Sequence, residues 1–391
     1  MHPKQNSNYP KTFVLLFLLT TYAGFSGSVA QALDQIVRPW QGVRSAGMGG
    51  VRLLTSQYDE SFFGNAARHA HNPTWKVETP INLTGEVGAG TISTASTVIS
   101  GFSDSSGLVG SLLDLVGVNN HVRIQNTFPG VYMPDLFRVS GNPISINFAL
   151  TNSLQGDVGV RKNMTISPQF VVDNSFHVAF AGRFLPREEL SLGVDTHFDH
   201  RIATGKPISI LTLFQSTSGT GLEAKDFLGE GGQVELDLGG EYILPWSFEV
   251  NTDVVVGASL VNLLGGKYTS VPIKIMNDLG DPPANPTAFG FGVAIRRPSL
   301  SILDESVVSI EISDIGNNNG GNFFRMLHLG AETRLSVLSL RAGINQGYLA
   351  AGAGLDLKIL SLDAATYGEE LTLVTGRFED RRYIGRLSIH L

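Results

Sequence analysis

The sequence has no cysteine. Disulfides, thiolate metal sites and cysteine nucleophiles are excluded with it. Charge is also scarce. Asp, Glu, Lys and Arg make up 16% of 391 residues, well below the usual quarter in soluble domains. Past the N-terminal region, no apolar run approaches the roughly 18 residues of a spanning helix. The net charge of −7 offers nucleic acid no basic surface. The glycine-rich Gly47-Met48-Gly49-Gly50 lacks the following lysine and the strand-loop-helix context of a phosphate loop. No Gly-x-Ser-x-Gly elbow occurs, and the near miss Gly101-Phe102-Ser103-Asp104-Ser105 lacks its closing glycine. These absences leave no catalytic residue, metal ligand set or cofactor site to assign, and the expectation is a protein that is not an enzyme.

What is present is apolar residues, 42% of the chain, spread thinly rather than in blocks. The first thirty residues form one pattern: Lys4 and Lys11, an apolar stretch over 12–25, then the small residues Ser28-Val29-Ala30. This predicts a secretory signal peptide over 1–30, cut before Gln31 or after Ala30-Gln31-Ala32. The alternative, a membrane anchor, needs a longer apolar run. Residues 33–75 lack alternation and carry the glycine-rich segment from Gly42 to Gly50. From about residue 78 to 391, apolar and polar residues alternate in segments of roughly ten, with turn signals between them.

The alternation is clear in several segments. Val234, Leu236 and Leu238 alternate with Gln233, Glu235 and Asp237; Leu192, Val194 and Phe198 alternate with Asp195, His197 and Asp199. Phe176, Val178, Phe180 and Phe184 share one face, and Tyr383, Leu387 and Ile389 oppose Arg382, Arg386 and Ser388. Period two places each set on one side of a sheet. A soluble sandwich would turn the apolar side to a core, whereas a membrane barrel would turn it to lipid. Export and the large number of strands favour the barrel: an all-β, transmembrane, antiparallel β-barrel of about fourteen strands. Strands are expected near 78–89, 122–134, 143–152, 175–184, 189–203, 232–243, 249–262, 287–297, 306–315, 325–335, 338–345, 348–357, 360–368 and 381–391. Segment 163–172 is either an extra strand or an extension. Long connectors at 92–121, 153–174, 204–231, 263–286, 316–324 and 369–380 would then share one end. Tight turns such as Pro186-Arg187-Glu188 and Leu244-Pro245-Trp246 would share the other, periplasmic end.

Two stretches carry a resemblance. The first is Arg44-Ser45-Ala46-Gly47-Met48-Gly49-Gly50-Val51 followed by Phe62-Phe63-Gly64-Asn65-Ala66-Ala67. The second runs from Leu327-His328-Leu329-Gly330-Ala331-Glu332 through Leu340-Arg341-Ala342-Gly343-Ile344-Asn345-Gln346-Gly347-Tyr348 and Leu362-Asp363-Ala364-Ala365-Thr366-Tyr367 to Asp380-Arg381-Arg382-Tyr383. The first resembles the N-terminal signature of FadL-like barrels, the long-chain fatty-acid transporters, and their PorV-like relatives; the second resembles the C-terminal half of the PorV-like branch. The two cover about a quarter of the chain. Asn65-Ala66-Ala67 departs from the family's asparagine-proline-alanine, which puts the rigid turn there in doubt. The resemblance implies a fourteen-stranded barrel in the cell outer membrane whose N-terminal segment, here 31–77, plugs a barrel of 78–391. It also implies lateral passage of hydrophobic ligands through a wall defect in transporters, and help with protein secretion in some PorV-like members.

Other residues offer narrower readings. Arg44, Met48 and Asn65 are candidates for positioning the plug. Leu112, Leu113, Leu115 and Val116, with Leu108 and Val109, would make an apolar ridge on the outer rim if helical. That ridge is either a landing groove for a hydrophobic ligand or a loop packed on its own barrel. Strand 348–357 is rich in small residues, which permits a kink in the wall or only sharp coiling beside a bulky neighbour. His69 with His71 would share a face only if extended, and His197 with His200 would face opposite sides of a strand, so neither pair is assigned a metal. Glu235, Asp237, Asp195, Glu311, Glu332, Asp356, Arg183, Arg341 and Arg386 fall on inward faces, where ion pairing is the expected use. The leading functional expectation is passive uptake of small hydrophobic compounds such as long-chain fatty acids, with outer-membrane lipid and the compound as partners. The alternative is a secretion-accessory barrel with a secreted-protein partner. Weaker still is a barrel enzyme acting on lipids.

Overall fold

The computed structural model describes residues 39–94, 118–160, 165–204, 208–209, 228–245, 252–269, 280–300, 303–318 and 320–391. The signal-peptide expectation and the ridge of Leu112, Leu113, Leu115 and Val116 lie outside the described residues.

Alternation folds this chain into a closed meander. The strands are β1 (Lys76–Gly88), β2 (Asn119–Val139), β3 (Asn142–Val160), β4 (Thr165–Phe184), β5 (Leu190–Thr204), β6 (Leu228–Ile243) and β7 (Asp253–Val261). They continue as β8 (Ala288–Leu300), β9 (Leu303–Ile312), β10 (Leu327–Leu335), β11 (Leu338–Asn345), β12 (Tyr348–Leu357), β13 (Leu360–Glu370) and β14 (Glu379–His390). Each pairs antiparallel with its neighbours in sequence, and β14 returns to β1, with Leu83 opposite Leu387 and Gly85 opposite Gly385. The result is a closed fourteen-stranded antiparallel barrel. A two-residue ladder at Ile208–Ser209 adds to the end of β4.

The two faces of the wall have opposite chemistry. Phe176 and Phe180 on β4 and Leu192, Val194 and Phe198 on β5 stand exposed on the outside. Between them Asp195, His197 and Asp199 are buried on the inside. A soluble sheet does the reverse. Apolar groups outward and charges inward require an apolar medium around the barrel, and closure leaves no strand edge unpaired in it. No helix among the described residues is long and apolar enough to cross a membrane.

All fourteen expected strands form. The C-terminal ends of β1, β5, β7, β9 and β13 lie at the same end of the barrel as the two-residue turn 346–347, as strand parity requires. The segment 313–326 contains a one-turn helix, α2 (Phe323–Met326). One connector differs: 153–174 is mostly strand, and 163–172 is an extension of β4 rather than an extra strand. Gly156 reads as a turn signal, but the alternation continues through it. Leu154 and Val158 face out, while Gln155 and Asp157 face in and bind Arg123 and His121. β2 also outruns its expected end. Its two prolines, Pro129 and Pro134, sit at register shifts between Thr127 and Gly130 and between Met133 and Phe137. A bulge absorbs the missing donor of a proline.

Candidate functional site

Residues 39–75 occupy the interior. They form a short helix α1 (Val43–Gly47) and two 3-10 segments, Tyr58–Phe63 and Ala66–His71. Three apolar clusters fix them to three sectors of the wall. Val43 and Ala46 pack on Ala350, Ala365, Tyr367 and Ile384 of β12 to β14. Met48, Val51, Leu53 and Leu54 pack on Val255, Ala294 and Val307 of β7 to β9. Phe62, with Tyr58 and Phe63, packs on Tyr132, Ala149 and Ala179 of β2 to β4.

Polar pins lie between these patches. Arg44 Nη2 donates to Glu332 Oε1 at 2.6 Å, and Arg341 Nε donates to Glu332 Oε2 at 2.5 Å. Glu311 reaches in from β9 and accepts the backbone N–H groups of Arg52, Leu53 and Leu54 at 2.7–3.1 Å. Arg68 pairs with Glu241 at 3.2 Å, and Arg386 with Asp59 at 3.1 Å. Removing one partner of such a buried pair typically costs about 3–5 kcal/mol, because the other charge stays buried alone.

The three predicted positioning residues are spread along this segment and do not form one site. Arg44 is the ion-pair partner just described. Met48 is fully buried where the backbone meets the wall: a methyl group added at Gly330 would stand 2.2 Å from Met48 O, and at Gly343 2.4 Å from Met48 C. Asn65 caps the second 3-10 segment, Oδ1 accepting from Ala67 N at 3.0 Å, while Nδ2 donates to Leu53 O at 3.0 Å and Gly240 O at 3.3 Å. The turn lacking proline is therefore held by the asparagine side chain.

Burial governs the titratable groups of the segment. It pushes the Glu60 carboxyl up to about 7, with Asp59 alongside adding to the rise. Glu60 Oε1 accepts from Arg44 N at 3.1 Å, while Oε2 has no partner. Burial lowers His69 to about 4 and His71 to about 3. These two histidines sit in a 3-10 turn, not a strand, and are not a ligand pair: His71 Nε2 lies 2.7 Å from Ser191 Oγ, and neither ring nitrogen of His69 has a partner. His200 turns away from His197 to Glu230 at 2.9 Å. Among the expected lumen charges, Arg183 and Asp356 lie at the rim instead: Arg183 pairs with Asp135 and Glu188, and Asp356 is exposed beside the 358–359 turn.

Two cavities flank the segment. One of about 180 Å³ opens among the long connectors and is lined by Trp40, Phe62, Phe63, His177 and Asn285. Trp40 and Phe63 stack there at 5.4 Å. The other, about 440 Å³, opens among the tight turns and is lined by charged groups including Arg44, Asp59, Arg341 and Arg386. On the outside of the wall, an apolar depression of about 670 Å³ lies over Gly85, Ala364 and Gly385. Strand register puts Gly85, Gly385, Ala364 and Ala353 in one row across β1, β14, β13 and β12. Directly inside, α1 meets the wall: a methyl group on Gly47 would stand 3.1 Å from Gly352 Cα. Of the small residues noted in 348–357, Ala351, Gly352 and Ala353 belong to this thin patch. Its other members come from the next two strands and from β1 at the far end of the sequence, and only strand register shows the row.

No protein-family model matches the chain, and no curated protein matches it. Among solved structures it is similar to the Pseudomonas putida toluene transporter TodX, at 10% identity and TM-score 0.44, over 90% of this chain and 97% of that one. It is also similar to the monoaromatic hydrocarbon channel CymD, at 11% identity and TM-score 0.43, over 89% and 96%. A Pseudomonas aeruginosa FadL homologue matches at 11% identity and TM-score 0.42, over 90% and 98%. These likenesses concern the barrel and nothing finer.

Proposed function

We propose that this chain is an outer-membrane barrel for passive uptake of small hydrophobic compounds, with 31–77 as plug and 78–391 as wall. The observation that carries the reading is the thin patch: a lipid-facing row of Gly85, Gly385, Ala364 and Ala353 with α1 directly behind it. An apolar compound collected on Trp40 and Phe63 would lose water-exposed area at each step, first to the cavity and then to lipid, at about 25 cal/mol per Å². A charged lumen such as the turn-side cavity suits it poorly, so sideways exit at the patch is the favoured path. Movement of α1 away from Gly352 would open it, and Arg44, Met48 and Asn65 set how firmly the segment stays docked.

Uptake of radiolabelled toluene and oleate into cells displaying the barrel tests this. Filling the row with Gly385→Leu and Ala364→Leu should cut uptake about tenfold, equivalent to about 1.4 kcal/mol of added barrier. Unchanged uptake in a folded double variant would remove the lateral path. No uptake by the unmodified barrel, with a secreted protein co-purifying in stoichiometric amount, would move the assignment to the secretion-accessory role.

A further inference from the structure

Strands β4, β5 and β6 bring an unusual group of side chains to the inner wall beside the outer cavity. Asp195 of β5 lies directly opposite Asp237 of β6, and His197 lies opposite both Glu235 and His177 of β4. Like charges directly across a ladder repel. Both aspartates are buried, at 0% and 5% exposure. None of the described arginines and lysines is ion-paired with Asp195, Asp199 or Asp237.

The hydrogen bonds around the group leave one donor atom bare on His197 and one on Asp195. His197 Nδ1 lies 2.9 Å from Asp199 Oδ1, and an ionised carboxylate only accepts, so Nδ1 carries the proton. The Nε2 of a neutral His197 then presents a lone pair. It has no hydrogen-bond partner and lies 3.5 Å from Asp237 Oδ1. Asp195 is oriented the same way: Oδ2 lies 2.8 Å from His177 Nδ1, and Oδ1 has no partner. Asp237 is held by the Asn262 N–H at 2.6 Å. One donor atom each from Asp195, His197 and Asp237 falls within 4.8 Å of the others. A cation bound at about 2.0–2.2 Å from each would draw the three atoms together, to about 3.4 Å from one another in a tetrahedral set. Imidazole backed by a carboxylate is the usual support of a metal-binding histidine.

We propose that Asp195, His197 and Asp237 bind one divalent transition cation of the zinc type, with a further coordination position facing the outer cavity. Asp199 and His177 are positioning residues that fix the ring and the carboxylate. Mixed imidazole and carboxylate donors favour such a cation over calcium or magnesium, which take oxygen ligands alone. The ion would take the Nε2 lone pair and set a positive charge among the carboxylates of Asp195, Asp199 and Asp237. It would also fasten the plug: His177 packs on Phe62 at 4.7 Å and on Phe63 at 5.0 Å, and Phe63 stacks on Trp40. This site is independent of the transport reading.

The test is calorimetric titration of the detergent-purified, chelator-treated barrel with ZnCl2. One equivalent is expected to bind, with loss of that equivalent in His197→Gln and in Asp237→Asn. Asp199→Asn keeps all three ligands and should weaken binding about 10–100-fold. Cobalt titration of the unmodified chain keeps the question answerable if a variant fails to fold, since a site with a nitrogen ligand gives visible absorption bands that zinc then displaces. Absence of a zinc equivalent and of cobalt bands in the unmodified barrel overturns the proposal. So does zinc binding that survives His197→Gln in a folded, heat-modifiable barrel.

Discussion

Glu60 shows how a single residue ties the plug to pH. Its carboxyl is pushed up to about 7, first by burial and then by Asp59, while Arg44, Arg386 and Arg341 pull the other way. A folded pKa above the unfolded one means that its contribution to stability is complete below about 4.5 and is lost as pH rises through about 7. His69 and His71 run opposite: held down to about 4 and about 3, they contribute above their unfolded value of 6.5 and lose that as pH falls. The unmodified protein therefore mixes two trends, and Glu60 is isolated only by difference. Glu60→Gln should be less stable than the parent near pH 4.5 and gain on it up to about pH 7.5, by at most about 3 kcal/mol. Denaturant unfolding in detergent at a series of pH values reads this. A constant offset between the two proteins would show that Glu60 does not titrate in that range.

At the scale of elements, the wall and the segment are fitted through glycine. Gly330 of β10 and Gly343 of β11 lie opposite each other in register, and the Met48 backbone rests on both. Gly343→Ala places a methyl group 2.4 Å from Met48 C, so something must move. A cost of about 1–3 kcal/mol to docking is expected. Limited proteolysis should then cut within 39–75 in that variant and spare the parent. Gly156→Ala, with open space around its added methyl, should behave like the parent. The fourteen strands were legible because lipid outside and charge inside impose period two on most of the wall. The reach of β2 to β4 was not, since Pro129, Pro134 and Gly156 mimic turns while sitting in bulges or continuous ladders. The pairing of Asp195 with Asp237 was equally hidden. Alternation alone puts Asp195 and His197 on one face of β5, but Asp237 lies across a ladder, where only strand register reveals it.

At the scale of the whole molecule, residues 39–75 fill the interior of the barrel and pair with its charges. The segment supplies Arg44 to Glu332 and Arg68 to Glu241, and its backbone N–H groups at 52–54 satisfy Glu311. Deleting 39–75 would strip those partners and leave Glu311 and Glu332 facing water with Asp195, Asp199, Glu235 and Asp237. Closure by ladder hydrogen bonds does not depend on the segment, so the wall should persist. The emptied lumen would then admit ions and, being lined by excess carboxylate, prefer cations. In planar bilayers the intact chain should show almost no steady current. The deletion variant should show a stable conductance that reverses toward the potassium potential under a KCl gradient. A deletion variant that folds, gives the heat-modifiable band of a closed barrel and still passes no current would mean that the connectors, not the plug, seal the lumen. Uptake of toluene by that same variant separates the routes: passage through the emptied lumen would survive Gly385→Leu and Ala364→Leu, and passage through the wall would not.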